Sequence, residues 1–354
     1  MFRIKALPVL SDHHYLIEKM SGVPQKRKIA VIGSNSFSGS DFVDLLLDDA
    51  AHEVIGISRS PEKSALFLPY KKRQHPAFQF FQRDLNRDMP QLIELLDSFE
   101  PEYVVNFAAQ SEVAPSWEHP EHWFQTNAVA LAKLMNQLRT RSYLQRYVHI
   151  SSPEVYGTCV GTVTEEAPLN PSTPYAASKA AADLFLFALV KNFQFPLITI
   201  RATNVYGAHQ QLFKIIPRAV IYLKTGKTIQ LHGGGKAVKS YIHIRDVSRG
   251  ELAAMERGRP GTIYHLSPDR GYAVREVVGE ICRLLGEDFS KATVAVEERL
   301  GQDAAYVIDS TRARRELGWS PEVSLREGLA GVVNWVEDNW EEIQRQSLDY
   351  VHQE

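Results

Sequence analysis

The sequence predicts an α/β protein built on a Rossmann-type doubly wound parallel sheet, with a smaller C-terminal α/β lobe. Three observations predict it. Strand and helix patterns alternate as far as residue 201, the strands are continuous apolar runs, and a glycine-bearing loop joins the first strand to the first helix. Beyond residue 201 glycines and prolines become frequent and the helices shorter, as in a lobe set over the carboxyl edge of the sheet.

The secondary-structure elements follow from hydrophobic patterning. "KIAVIG" (28–33) is a β-branched run ending in glycine, which predicts the first strand. In "SDFVDLLLDD" (40–49), Phe42, Leu45 and Leu46 have the spacing of one helix face, which predicts the first helix. Further strands are predicted at 53–58, 78–85, 103–109, 146–152 and 196–201, and further helices at 91–99, 120–139 and 174–192.

The bulk composition favours a protein that acts on a small molecule. Of 354 residues, 44% are hydrophobic and 23% charged, and the net charge of −2 comes from interspersed acids and bases, so no nucleic-acid surface is predicted. No apolar run approaches the about 18–20 residues that a membrane span requires. Cys159 and Cys282 form no CxxC pair, which predicts free thiols in a reducing cytoplasm; no metal site is predicted.

The loop "GSNSFSGS" after the first strand carries Gly33, Ser36 and Gly39 at three-residue spacing. Such a loop turns tightly and brings its backbone close to a pyrophosphate, which then lies at the amino end of the helix. Gly33 and Gly39 fit this role, and Ser36 and Phe37 are assigned to the same site. Ser36 stands where glycine would allow the closest approach, so the loop must bend differently there. A dinucleotide-binding site is therefore predicted.

Residues after the second and third strands bear on the cofactor's identity. An Asp or Glu after the second strand would bind the ribose 2′-hydroxyl of NAD, whereas an Arg accommodates the 2′-phosphate of NADP. The sequence has Arg59 at this point. The cofactor is therefore expected to be NAD or NADP, with NADP favoured. Asp84 suits a hydrogen bond to the adenine, with Leu85 beside it.

These patterns also divide the chain. Residues 1–27 lack the apolar core of about 7–15 residues that marks a secretion signal and are interpreted as an N-terminal extension. Residues 28–201 are predicted to form the NAD(P)-binding domain. Residues 202–340 mainly form the substrate-binding lobe, with some segments returning to the sheet, and 341–354 are a C-terminal tail.

The motif "YAASK" places Tyr175 and Lys179 four residues apart, on one face of a predicted helix. A tyrosine with its ordinary pKa of about 10 is a poor base at neutral pH. A neighbouring ammonium favours the phenolate, which can accept a hydroxyl proton while hydride passes to a nicotinamide. Ser152, at the end of the preceding strand, can orient the same substrate oxygen. Phosphate loop, serine and YxxxK in this order predict an oxidoreduction site.

A family resemblance rests on six segments: "NFAAQSEVAPSWEHPEHWFQTN", "ISSPEVYG", "YAASK", "RATNVYGAHQ", "SYIHIRDV" and "RLGQDAAYVIDSTRARRELGWSP". Together they resemble the extended short-chain dehydrogenase/reductases, specifically the nucleotide-sugar dehydratases and epimerases, from about Lys28 to Trp335. The first segment and "HEVIGISRS" are most similar to GDP-mannose 4,6-dehydratases, and the last is more similar to dTDP-glucose 4,6-dehydratases. The resemblance implies a tightly bound cofactor that is recycled in each turnover.

The resemblance also implies roles for individual residues. Ser152, Tyr175 and Lys179 would form the oxidation triad. The other implied residues would line the ligands: Ala108, Ala109 and Asn127 at the cofactor and active site, and Ser111, Asn204, Lys239 and Arg299 at the nucleotide-diphosphate sugar. Lys239 stands where the family usually has an arginine, so the charge is kept while the bidentate geometry toward phosphate is lost.

The dipeptide Pro153-Glu154 departs from the dehydratases that the chain resembles, which often have Asp-Glu or Ser-Glu there. Removing water across C5 and C6 of a hexose requires a 4-ketone, a carboxylate that takes the C5 proton and an acid that protonates the C6 hydroxyl. Glu154 fits the carboxylate, whereas Pro153 can neither donate nor accept a side-chain proton. Glu154 itself, a bound water or Thr158 could supply the missing proton.

The predicted function is that of a nucleotide-sugar 4,6-dehydratase acting on a GDP-, dTDP-, UDP- or CDP-hexose, with Tyr175 at C4 and Glu154 at C5. A 4-epimerase, which needs no carboxylate at 154, and a hexuronate decarboxylase are the alternatives; the intact triad argues against a non-catalytic cofactor sensor. Helices 120–139 and 174–192 carry extra apolar faces, and similar enzymes pair these helices, so a homodimer or larger assembly is expected, in the cytoplasm.

Overall fold

The structure is a computed structural model that describes residues 26–73, 75–158, 161–297 and 305–353. The strands in chain order are β1 (Arg27–Ile32), β2 (His52–Ser58), β3 (Phe78–Gln82), β4 (Tyr103–Asn106), β5 (Arg146–Ile150), β6 (Leu197–Ala202), β7 (Asn204–Tyr206), β8 (Ile229–His232), β9 (Val238–Lys239), β10 (Tyr241–His243), β11 (Thr262–Leu266), β12 (Tyr272–Ala273), β13 (Thr293–Val296) and β14 (Ala305–Tyr306). Seven of them form one sheet, in the order β11-β6-β5-β4-β1-β2-β3. Every pairing within it is parallel, and the strand order reverses between β1 and β4. This confirms the predicted doubly wound sheet.

The helices are α1 (Phe37–Leu46), α2 (Met89–Phe99), α3 (Pro120–Phe124), α4 (Leu131–Leu138), α5 (Pro174–Phe193), α6 (Ile215–Lys224), α7 (Ile244–Arg257), α8 (Val274–Leu285), α9 (Phe289–Ala292), α10 (Thr311–Leu317), α11 (Leu325–Asp338) and α12 (Trp340–Ile343). A π-helical segment, Gln125–Ala130, joins α3 to α4, and a 3₁₀ turn, Pro153–Tyr156, follows β5. None of the helices in the described ranges is long and apolar enough to cross a membrane.

Helices cover both faces of the large sheet, as the alternation of side chains along each strand requires. On β1, Ile29 and Val31 pack in one core with α1, α7 and α10, while Ala30 and Ile32 pack in another with α2, α4 and α5. Helix α7 comes from the second half of the chain. Its Arg245 Nη2 donates to Asp44 Oδ2 of α1 at 2.7 Å. The second half of the chain therefore contributes one of the helices that cover the large sheet.

The smaller lobe has its own core, built mainly from α6, α8 and α11. Short strands surround it: β8 pairs with β13, β7 with β10, and β9 with both β12 and β14. The lobe begins directly after β6, where the sheet's carboxyl edge lies. The lobe contacts the segments that follow β2 and β4, through His209 to the Leu66 main-chain oxygen and through Lys214 to Glu112.

The observed elements differ from the predicted ones mainly at their ends. Helix α1 begins at Phe37, three residues before the predicted start, because Ser36 caps it. The predicted strand at 103–109 ends at Asn106, whose Oδ1 accepts a hydrogen bond from the Ala108 N–H at 3.0 Å and turns the chain. Strand β11 is not among the six predicted strands, because its five residues follow β6 only after a long excursion through the second lobe.

Candidate active site

The loop after β1 has the geometry of a pyrophosphate cradle. Gly33 has a φ of +89°, and a Cβ there would lie 2.6 Å from the Ala108 nitrogen, so only glycine allows this turn to approach the loop after β4. A Cβ on Gly39 would lie 2.3 Å from the Gly33 oxygen. The Ser36 Oγ accepts a hydrogen bond from the Gly39 N–H at 3.0 Å and so starts α1. The amino end of α1 thus lies at the sheet's carboxyl edge, where dinucleotide phosphates bind.

The residues predicted to recognise the adenosine half lie at the ends of β2 and β3. Arg59 directly follows β2, and its Nη2 donates to the main-chain oxygen of Gln353 at 3.2 Å. The Asp84 Oδ1 accepts a hydrogen bond from the Asn86 N–H at 2.7 Å, and the neighbouring Leu85 is buried. The three predicted residues share one edge of the sheet, as a dinucleotide site requires.

Asn127 links the loop after β4 to α5. Its Oδ1 accepts from the Gln110 N–H at 2.8 Å, and its Nδ2 donates to the Gln110 oxygen at 3.0 Å and to the Ser178 Oγ at 2.9 Å. Ala108 and Ala109 lie in the loop that is held in this way. Asn127 belongs to the π-helical segment, a distortion that is frequent at functional sites. The predicted supporting role of Asn127 thus has a defined set of contacts.

Ser152 and Pro153 begin the 3₁₀ turn that carries Glu154. Strand β5 ends at Ile150, and the Ser152 Oγ accepts a hydrogen bond from the Glu154 N–H at 3.2 Å. A proline suits the first position of such a turn, because its φ is already fixed and its missing N–H is not needed there. Pro153 is buried, whereas Thr158 is exposed. Pro153 therefore shapes the backbone of this turn and has no side-chain proton to donate.

Tyr175 and Lys179 are almost fully buried on α5, with 9% and 2% of their surface exposed. Burial above all, and also the nearby Glu154 carboxylate, raise the pKa of Tyr175, while the Ser152 side chain beside its hydroxyl partly opposes this. The Lys179 Nζ donates to the Ile150 main-chain oxygen at 2.7 Å, and burial lowers the pKa of Lys179 to about 8. The structure thus brings Ser152, Glu154, Tyr175 and Lys179 together between β5 and α5.

Two side-chain groups near Tyr175 were not among the predicted site residues. The Ser116 Oγ accepts a hydrogen bond from the Tyr175 N–H at 3.2 Å. The charge of Glu112 also raises the pKa of Tyr175, and Lys214 of the second lobe donates to both Glu112 carboxylate oxygens, at 2.7 and 2.9 Å. The signal for Glu112 was its position directly after Ser111, in a segment already assigned to the site.

A buried polar network lies beneath the site and was also not predicted. The Asp183 Oδ2 accepts hydrogen bonds from the Ser151 Oγ and the Arg201 Nη2, both at 2.7 Å. Asp183 and Arg201 are 0% exposed. Burial and the charges of Lys179 and Arg201 hold the pKa of His149 well below its usual value, so this ring, 3.5 Å from Asp183, is neutral. Asp183 stands four residues after Lys179, and its charge partly opposes the lowering of the Lys179 pKa.

The residues predicted to bind the sugar nucleotide lie on separate elements. Ser111 is exposed in the loop after β4. Asn204 begins β7, opposite Tyr241 of β10, and Lys239 lies in β9. Arg299 lies outside the described residues. Their contacts with a nucleotide diphosphate therefore stay predictions.

Comparisons with known proteins agree with this geometry. The sequence profile of the family described as GDP-mannose 4,6 dehydratase matches residues 31–332. A dTDP-glucose 4,6-dehydratase of Streptomyces griseus is 33% identical over 316 residues, which are 87% of this chain and 93% of the relative. The crystal structure of DesIV, a dTDP-glucose 4,6-dehydratase from Streptomyces venezuelae with NAD and TYD bound, superposes with a TM-score of 0.82 at 32% identity, covering 89% of this chain and 98% of its own. A UDP-glucose 4-epimerase from Thermotoga maritima, with UDP-glucose, reaches a TM-score of 0.80 at 25% identity and covers 88% of this chain and 99% of its own.

Proposed function

Because this chain belongs to the GDP-mannose 4,6-dehydratase family, we propose that it removes water from a nucleotide-diphosphate hexose to give the 4-keto-6-deoxy sugar. It is a nucleotide-sugar 4,6-dehydratase, and hence a lyase. The observation that carries this conclusion is Glu154, whose carboxylate lies close enough to Tyr175 to raise its pKa. A simple 4-epimerase has no use for a carboxylate there, whereas a dehydratase needs one to remove the C5 proton.

The cofactor of this reaction is NAD or NADP. The glycine turn at Gly33, the capped amino end of α1 and the small residues Ala108 and Ala109 fit a dinucleotide. Bound there, either dinucleotide would supply the acceptor for the C4 hydride and the donor of that hydride to C6. The related structure of DesIV holds NAD, whereas Arg59 after β2 favours NADP. Competition between NAD and NADP for the protein freed of cofactor would decide between them.

Tyr175 is the group that takes the proton from the C4 hydroxyl, and Ser152 orients that hydroxyl. The buried phenol needs a nearby positive charge to ionise, because burial and the Glu154 charge both raise its pKa. Lys179 lies one helical turn away, and with a pKa of about 8 it is still mainly an ammonium at neutral pH. The pair Tyr175–Lys179 therefore supplies both the base and its compensating charge.

Glu154 starts the elimination by taking the proton from C5. Since Pro153 provides no acid, we propose that Glu154 passes this proton to O6, so that O6 leaves as water. Glu154 then takes a proton from solvent and delivers it to C5 as C6 is reduced, and Tyr175 releases the proton of the C4 hydroxyl to solvent. The sum is the loss of one water and the exchange of one carbon-bound hydrogen with solvent. A water or Thr158 relay is the alternative route to O6.

Mass spectrometry in heavy water tests this function. Purified protein would be given UDP-, dTDP-, GDP- and CDP-hexoses in turn, with Glu154→Gln run in parallel. The expected result is a product that has lost one water and gained one deuterium, with neither change in the variant. A product of unchanged mass and inverted configuration, formed equally by Glu154→Gln, would instead identify a 4-epimerase.

We propose that the enzyme is a homodimer or larger, and cytoplasmic. Four large apolar side chains are exposed on the two helical segments predicted to pair: Phe124 and Val129 between 120 and 138, and Leu184 and Phe193 on α5. Exposed apolar residues clustered on neighbouring helices are typical of subunit interfaces. Light scattering at micromolar concentration that gave the 40.0 kDa of one chain would contradict this proposal.

A further inference from the structure

Residues 348–353, called the strap below, cross from the smaller lobe to the edge of the large sheet. The match to the family profile ends at residue 332, and the strap lies C-terminal to the matched residues. Its contacts fall into two groups. One group holds the strap to the smaller lobe, and the other holds it to the loops that leave β2 and β4.

The first group involves α6 and the residue preceding its cap. The Arg218 Nη2 donates to the main-chain oxygen of Leu348 at 3.0 Å and to the Asp349 Oδ1 at 3.4 Å. The ring of Tyr350 meets that of Phe213 edge to face, with 5.4 Å between the centroids. These contacts fix the start of the strap on the substrate-binding side.

The second group begins with the ring of His352, which is stacked on α3. Its centroid lies 5.0 Å from that of Trp123 and 5.2 Å from that of His122, with the ring planes within 11° of parallel. The His352 Nε2 is also hydrogen-bonded to the His122 Nδ1 at 2.9 Å. Helix α3 continues into the π-helical segment that carries Asn127, so this contact is made beside the active site.

The second group ends at Gln353, which reaches two residues of the cofactor-binding edge. Its main-chain oxygen accepts hydrogen bonds from the Gln110 Nε2 at 2.6 Å and from the Arg59 Nη2 at 3.2 Å. Gln110 is the partner of Asn127, and Arg59 follows β2. One main-chain group thus bridges the ends of β2 and β4, the strands on either side of β1 and its phosphate loop.

We propose that the strap is part of the cofactor-binding site: it closes the sheet edge over the dinucleotide and keeps it bound from one turnover to the next. This inference rests on the proposed function, because a dehydratase regenerates its cofactor in each cycle and has no need to release it. In this arrangement Arg59 anchors the strap through Gln353. The strap also joins the two lobes, so it limits the opening of the cleft through which a dinucleotide would leave.

The release of NADH and NADPH from the purified protein tests the strap without any sugar substrate. The complex would be mixed with excess NAD or NADP, and loss of the bound cofactor's fluorescence would give the release rate. Tyr350→Ala combined with His352→Ala removes both rings of the strap, and with them the contacts to Phe213, Trp123 and His122. It should speed release about tenfold or more. The single variant His352→Phe keeps Tyr350 and a ring on Trp123, so its release should stay slow. Val351→Ala is the matched control, because this side chain is 70% exposed within the same segment.

Release at the wild-type rate from the double variant would overturn the proposal. So would slower release, which would mean that the strap competes with the cofactor. Arg59→Ala separates the strap from NADP recognition: faster release of NADH and NADPH alike supports the anchoring role, and an effect on NADPH alone contradicts it. An enzyme that forms no 4-keto product but still shows strap-dependent release would refute the proposed function and leave this inference standing.

Discussion

Replacing Asp183 with asparagine should destabilise the protein severely, because it leaves a buried charge without its partner. Asp183 and Arg201 are 0% exposed and meet at 2.7 Å. Breaking a buried ion pair by removing one partner costs about 3–5 kcal/mol of unfolding free energy. For chains somewhat shorter than this one, each kcal/mol of lost stability lowers the melting temperature by about 2–4 °C. The apparent melting temperature should therefore fall by roughly 6–20 °C.

The assay is thermal unfolding of the wild-type protein, Asp183→Asn and the double variant Asp183→Asn/Arg201→Met. The double variant removes both charges and fills the site with an apolar chain of similar length, so it should lose less than half as much stability as the single variant. Tyr156, which also contacts Arg201, keeps its hydrogen bond to the His265 Nε2 at 2.8 Å.

The same substitution should change the pH dependence of C4 oxidation. The charge of Asp183 raises the pKa of Lys179, against the stronger lowering by burial. Without the Asp183 charge the pKa of Lys179 falls below about 8, so Lys179 loses its proton at lower pH. The alkaline limb of the rate profile therefore moves to lower pH. A melting temperature within about 2 °C of wild type, together with an unmoved alkaline limb, would refute the assignment of Asp183 as the partner of both groups.

Two further substitutions test other parts of the site. Gly33→Ala forces a side chain into a left-handed turn, 2.6 Å from the Ala108 nitrogen. It should abolish cofactor binding, as measured by equilibrium dialysis. Unchanged affinity would contradict the assignment of this loop as a pyrophosphate cradle. Glu112→Gln removes a charge that raises the pKa of Tyr175. Since the phenolate is the active form, the acid limb of C4 oxidation should move to lower pH, and a shift to higher pH would be the wrong sign.

The parts of the site that could be predicted are those whose residues lie close together in the sequence, at a spacing that fixes their geometry. Gly33 and Gly39 lie in one loop, and Tyr175 and Lys179 on one helix face, so local geometry already places each pair. Their meeting at the carboxyl edge follows from the parallel order of the strands. The fold class was predictable for the same reason, since apolar runs alternate with helical patterns.

The parts that could not be predicted depend on contacts between residues far apart in the sequence. Glu112 is paired with Lys214 across two lobes, and nothing near either residue indicates the other. Asp183 looks like an ordinary polar residue on a helix until Arg201 of β6 is placed against it. The sequence shows that position 153 lacks the acid, because it is a proline. Its role at the start of a 3₁₀ turn depends on the Ser152 hydrogen bond, which only the structure gives.

The position of β11 has a consequence for how the protein folds during synthesis. Residues 262–266 pair with β6, and α7 covers α1, with Ser248 donating to Asp41 at 2.7 Å across 207 residues. A nascent chain that has emerged only as far as residue 201 therefore has an unpaired strand at one sheet edge and an uncovered apolar surface on α1. Such surfaces bind chaperones and promote aggregation. The nucleotide-binding half should consequently become protease-resistant only after residue 266 has left the ribosome.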